Sequence, residues 1–518
     1  MKTRIIDLLD LPDEILLIIF NKLGSFDVLY SLLNSTQRLD RIARSSYSKS
    51  INFSIELSDG QICPIDSAKL HRFNIEMLPQ IHDRIQMMTL EPTNIERILS
   101  SQFPNLHTFV LVGFSPDLLL NYFTENSSII HLLKERIKSM TLKIRNEVFN
   151  DISFTNSFER ILLICEKCTY LGMNQSEMVR FYRFTLDDYS QNICYSSSLQ
   201  TLNIYVKTFD DCLYLLDGRM KSLSSFTVRV TFIEPSSKAT DSCEKLLHLN
   251  EFSLTCPLFT TAYDCRIVRL LQRMINLKKL TLYLYTLRLK VIDGIVLNEN
   301  ILCHMLNLDK FIFHICMFMP TCYTNDYVST NHIENTFINW KYSQVGCSID
   351  HLSNATSYCH IYSIPIQMTY LMYATKSIRN HYFPFLFDLT LYDTRPFEYD
   401  FFQWLSKAIP LLKYLTVDNF QAQVNKFENQ SCILYNNLVR LRLTHAHTDY
   451  AYQFLCDTKA RVPKLSILKI QYDKLVIVTD NFTNITTQIN CNQLKKLIFD
   501  EIIVCPEHFH DYFPYFTE

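Results

Sequence analysis

Glycine is scarce in this chain, with 7 in 518 residues, and tryptophan scarcer still, with 2. So few glycines leave no loop able to cradle a phosphate by close backbone approach. Neither sign of charge dominates. Lys+Arg number 50 against Asp+Glu 52, a net charge of -2, so no overall field draws nucleic acid or an anionic membrane, and neither is expected as a partner. No apolar run reaches the length of a membrane span; the most apolar stretch, Phe311 to Met319, contains His314. Met1-Lys2-Thr3-Arg4 and the acidic Asp7-Leu8-Leu9-Asp10 lack the apolar segment and cleavage site of a signal peptide. Cysteine is the exception to this poverty, with 17, odd in number and scattered. Without an export signal these read as reduced thiols, which places the chain in the cytoplasm or nucleus.

Catalytic signatures are also missing. Cys165-Glu166-Lys167-Cys168 has zinc-knuckle spacing, but no second C-x-x-C exists to complete four ligands. His445-Ala446-His447-Thr448-Asp449 and His508-Phe509-His510-Asp511 are polar segments whose histidines are expected to be solvated. No metal, no cofactor and no catalytic residue is expected, so the chain reads as a binding protein.

The N-terminus carries the clearest pattern. In Leu11-Pro12-Asp13-Glu14-Ile15-Leu16-Leu17-Ile18-Ile19-Phe20, Pro12 has its φ pre-set for a helical first turn and the two acids suit the helix dipole. Leu16 to Phe20 is apolar without interruption, so this helix has no solvated stripe there and must be covered on more than one side. Behind the Gly24-Ser25 break, Leu29, Leu32, Leu33, Leu39, Ile42 and Ala43 recur at helical intervals. So small a unit cannot bury this much hydrocarbon by itself, which implies a partner.

These residues resemble the F-box family: Leu11-Pro12-Asp13-Glu14-Ile15, Ile19-Phe20, Leu23 and Asp27-Val28-Leu29 follow its pattern over residues 8 to about 46. Where many members carry a Cys and a Trp, this chain has Thr36-Gln37-Arg38-Leu39. The resemblance implies binding to a Skp-type adaptor, and through it a cullin, by Leu11, Pro12, Glu14, Ile15, Ile19, Phe20 and Leu23.

A second pattern fills the remainder. Apolar-x-x-apolar-x-apolar begins at Ile85, Leu106, Ile137, Cys168, Leu199, Leu223, Leu249, Leu277 and Leu308, then at Leu386, Leu412, Leu438, Leu465 and Leu494, fourteen units in all. Their spacings, 21 to 31 residues within each run, lie near those of leucine-rich repeats. The last two apolar positions of each unit sit on one face of a short strand, and units bury that face by stacking. The fold expected is α/β: an N-terminal helical F-box (1-46), a linker or first degenerate repeat (47-84), and one leucine-rich-repeat solenoid (85-518). The solenoid is a horseshoe of inner parallel strands and outer helices. From Leu308 to Leu386 the gap of 386 - 308 = 78 residues holds two degenerate units or an insertion, giving a degenerate or inserted stretch at 314-385.

In the resembling family, F-box proteins with leucine-rich repeats are substrate-recognition subunits of Skp-cullin-F-box ubiquitin ligases. The row just after each second inward strand position faces the same way as a concave surface. From it Tyr283, His314 and Tyr392 are the candidates to anchor an unknown protein target. The rival reading is an interaction scaffold without a ligase link, whose N-terminal helices merely cap the array.

Overall fold

The computed structural model describes residues 8–56, 62–99, 102–123, 128–144, 151–175, 195–235, 244–320, 329–352, 356–425, 431–500, 506 and 509–516. The chain divides into two compact units, Met1–Phe232 with Ser236–Phe252, and Ile233–Pro235 with Ser253–Glu518. It is mixed α/β, and most of its strand pairs are parallel.

The first unit opens with helices α1 (Asp13–Phe20), α2 (Ser25–Leu32) and α3 (Gln37–Ser46), preceded by a 3-10 turn at Leu8–Asp10. Strand β1 (Ser50–Asn52) follows, then a short antiparallel pair, β2 (Ser54–Glu56) with β3 (Ile62–Pro64). Then come β4 (Met87–Leu90), β5 (Thr108–Phe114), β6 (Ser139–Ile144), β7 (Tyr170–Gln175), β8 (Thr201–Thr208) and β9 (Ser225–Phe232). The order β1-β4-β5-β6-β7-β8-β9 is parallel throughout.

The repeat in sequence is the register in space. Met88 pairs Phe109, Phe109 pairs Met140, Met140 pairs Leu171, Leu171 pairs Leu202 and Leu202 pairs Phe226, all second positions of successive units. Because side chains alternate across a strand, this register sends Leu202, Ile204 and Val206 to one buried face and leaves Thr201, Asn203 and Tyr205 on the other. Helices between strands start where local chemistry stops the strand. At Thr208 the Asp211 N–H donates to Thr208 Oγ1 (3.2 Å) while the Thr208 N–H donates to Asp211 Oδ2 (2.8 Å), a reciprocal cap that opens helix Phe209–Leu215. The stretch expected as linker or degenerate repeat contributes a strand: β1 pairs Ile51 with Met88, and Phe53, Phe73 and Met77 behind it are buried.

The second unit takes up the pattern after β10 (Glu251–Thr260). Strand β11 (Lys279–Leu287) lies parallel to β12 (Lys310–Pro320), Leu280 on Phe311 and Leu282 on Phe313. Here the expected single array ends. Strands β13 (Gln344–Leu352) and β14 (Thr356–Ile364) form a hairpin, and β14 runs antiparallel to β12. A separate sheet then begins at β15 (Tyr370–Ala374) and runs through β16 (Asp388–Tyr392) and β17 (Tyr414–Asp418). Past a side pair of β18 (Ile433–Leu434) and β20 (Ala460–Arg461), it continues through β19 (Arg440–Arg442), β21 (Ile467–Lys469) and β22 (Lys496–Ile498), all parallel. Leu389, Leu415, Leu441, Leu468 and Leu497 stand in one register row. The 314-385 stretch thus holds an antiparallel hairpin and one further parallel strand, β15, rather than two hidden units.

Candidate functional site: the outer face of the first helix

Helix α1 has two apolar faces with opposite fates. Leu16 and Phe20, one turn apart, are 0% and 3% exposed and pack with Val28, Leu39 and Ile42 as the interior of the three-helix module. Ile15, Ile18 and Ile19, at i, i+3 and i+4, form the other face, and Leu23 follows in the turn after the helix ends at Phe20. With Leu8 and Leu9 of the preceding turn they remain 39–58% exposed. Phe20, expected to contact the adaptor, is therefore a core residue: Val28, Leu39 and Ile42 already occupy its surface. Leu11 is half-buried against the same interior, while Pro12 and Glu14 are exposed. Ile18 is the most exposed of the α1 apolar residues at 58%, and the expected set omitted it although it stands three residues from Ile15.

Helix α2 fastens the module to the sheet. The Phe26 ring meets Phe53 edge-on at 5.8 Å and tilts over Phe73 at 4.8 Å. The Asn52 N–H donates to Ser25 Oγ (3.0 Å), and Arg44 donates to Gln80 Oε1 (2.6 Å). Among the described residues attachment thus uses α2 and α3, and the exposed face of α1 takes no part in it.

The three residues expected to anchor a target form no open surface: Tyr283 and His314 are register partners on β11 and β12, but His314 is buried and Tyr283 and Tyr392 are half-buried. His314 is 2% exposed, its Nε2 3.1 Å from His360 Nδ1 and its ring stacked on that of His360, so it is an interior residue and not an anchor. Burial holds His314 well below the usual imidazole value and pushes His360 down to about 4. Tyr392 is half-buried, edge-on to Tyr358 and Tyr373, in a cluster that includes Tyr285, Cys316, Phe318 and Tyr370. The Met372 N–H donates to Tyr285 Oη (2.8 Å), so β15 seats directly on this face of β11. Tyr283 is half-buried against the core of the second sheet, and desolvation pushes its phenol up to about 12.

The histidine loop is structural in its contacts. His447 Nδ1 accepts the Asp449 N–H (3.2 Å) and caps helix Thr448–Leu455, His445 stacks on Phe420, and Lys474 Nζ donates to the carbonyls of Thr444 and Ala446. Cys165 and Cys168 are both 3% exposed, and burial raises both thiols above their ordinary value, as expected of core residues rather than of ligands. His508 lies outside the described residues. Among the described residues no group of three or more His, Cys, Asp or Glu is placed to hold a metal, and no helix is long and apolar enough to cross a membrane. No protein-family model matches the chain, and no curated protein matches it in sequence.

Proposed function

We propose that this chain is the substrate-recognition subunit of a Skp-cullin-F-box ubiquitin ligase, with α1 to α3 as an F-box and the parallel ladders as leucine-rich-repeat arrays that carry a protein target. The observation that supports it is the outer face of α1 with the turns on either side: three apolar side chains on the helix and three beside it stay exposed on a module already fastened elsewhere. Exposed hydrocarbon gathered on one side of a helix marks a surface that a partner covers. On this reading Ile15, Ile18, Ile19 and Leu23, with Leu8 and Leu9, meet the Skp-type adaptor, and the cullin is reached through it. The chain does no chemistry. It raises the effective concentration of target lysines near the charged enzyme, in the cytoplasm or nucleus.

A second reading, an interaction scaffold whose helices only cap the first strand, draws support from the Phe26–Phe53–Phe73 contact. A cap, however, has no use for apolar residues on the side away from what it covers. Reconstituted ubiquitin transfer with adaptor, cullin and a captured binding partner separates the two. The ligase reading expects modification of the partner, abolished by Ile15→Asp with Ile19→Asp; an adaptor-bound chain whose partners are never modified supports the scaffold. Substitution is the better tool here than removal of residues 1 to 46, since removal uncovers Phe53 and Phe73.

A further inference from the structure

We infer that Arg38 is the positioning residue of the adaptor face, setting the conformation of the Leu8 to Pro12 segment; the inference rests on the function proposed above. Helix α1 begins without a side-chain cap: Pro12 occupies the N-cap position and has no side chain able to accept an N–H. In the segment before it the Leu11 N–H donates to the Leu8 carbonyl over a long 3.3 Å. A side chain of α3 reaches across to it. The Arg38 guanidinium donates through Nη1 to the Leu9 carbonyl (2.7 Å), through Nη2 to the Leu11 carbonyl (2.6 Å) and through Nε to Asp13 Oδ1 (2.8 Å). Arg41 donates to the other oxygen of the same carboxylate (3.1 Å).

A single planar fork therefore spans the two carbonyls and the acid of the first helical turn, across 25 to 29 residues of chain. Only arginine offers donors in that fixed geometry, and a lysine ammonium at the same place can meet one or two of the three acceptors but not the set. The clamp fixes where Leu8 and Leu9 project relative to Ile15 and Ile19, which makes one rigid face from two segments. Rigid presentation removes an ordering cost from binding. Arg38 itself need not touch the partner: it lies within Thr36-Gln37-Arg38-Leu39, the stretch where the sequence departs from the family pattern.

The test is titration calorimetry of the purified full chain with a Skp-type adaptor, comparing wild type, Arg38→Met and Arg38→Lys, with hydrogen exchange of each free protein. Arg38→Met is expected to weaken binding about tenfold and Arg38→Lys by less, with faster exchange at residues 8 to 16 and unchanged exchange at Thr201–Thr208. A merely structural role is distinguished by coupling. Arg38→Met combined with Leu9→Ala should be less than additive in binding, and combined with Leu23→Ala additive, because the clamp bonds Leu9 and not Leu23. If wild type binds and Arg38→Met binds equally well, or couples equally to both, the positioning role is overturned and the adaptor reading stands. If wild type does not bind the adaptor at all, both fall. Should Arg38→Met fold poorly, Arg38→Lys keeps the charge and decides the matter by the same coupling.

Discussion

The strand positions of the ladders and the apolar positions of α1 are made of the same residues, and water treats them in opposite ways. Leu202, Leu280, Leu389 and Leu441 are each 0% exposed, because each finds its counterpart in the neighbouring strand at the same register. On α1, Leu16 is 0% exposed and Ile18, two residues on, is 58%. A ladder position is completed from within the chain. Among the described residues nothing in its own unit completes the outer face of α1, and that asymmetry is the basis of the functional proposal.

The largest losses of stability are expected from damage to the parts that close on themselves. Phe26→Ala removes the ring between Phe53 and Phe73, and is expected to cost about 3 to 5 kcal/mol, read by chemical denaturation of the intact chain. Leu202→Ala, Leu280→Ala and Leu441→Ala should each cost about 2 to 5 kcal/mol. Since a strand in such a ladder depends chiefly on its neighbours, hydrogen exchange should quicken near the substituted unit first; equal loss across both units would contradict the repeat account.

A smaller effect separates the hairpin region from the ladders. His314 and His360 are buried with folded-state values below the ordinary one near 6.5, so the unfolded chain takes up protons first as pH falls. Their contribution is present above about pH 6.5 and is lost between there and about 4, where His360 itself protonates. Denaturation midpoints measured from pH 7.5 to 4.5 should fall across this window, and His360→Gln should flatten the fall. The smallest effect is expected on α1: Ile18→Ser should change stability by no more than about 0.5 kcal/mol, because that side chain is already in water.

Much of this was legible in the residues. The triplets at Leu277, Leu280, Leu282 and at Leu438, Leu441, Leu443 announced strands because each strand has one fully buried face, and a period of two with a fixed lead position survives substitution among apolar residues. The hairpin of β13 and β14 left no such trace. Its strands pair antiparallel and are buried on both faces around Cys347, Cys359 and His360, so they carry no lead position and no repeat spacing. On α1 the period of 3.6 separates Leu16 and Phe20 from Ile15, Ile18 and Ile19, but which stripe turns inward is decided by Val28, Leu39 and Ile42, which arrive from other helices. Phe20 was misread for that reason. Strand alternation puts His314 in the same row as Tyr283, away from the leucine positions, yet the residues that bury it, His360 and Tyr362 on β14, come from the stretch whose pairing the pattern did not foresee.

On the proposed function, the uncovered face of α1 is a binding surface for a Skp-type adaptor. Titration calorimetry of the full chain against that adaptor, wild type beside Ile15→Asp with Ile19→Asp, tests it most directly. Binding by the wild type, and its loss in a variant that unfolds at the same denaturant concentration, is the predicted result; two carboxylates carried into an apolar contact cost several kcal/mol or forbid it. Equal affinity of the two proteins, or no binding by either, contradicts the claim.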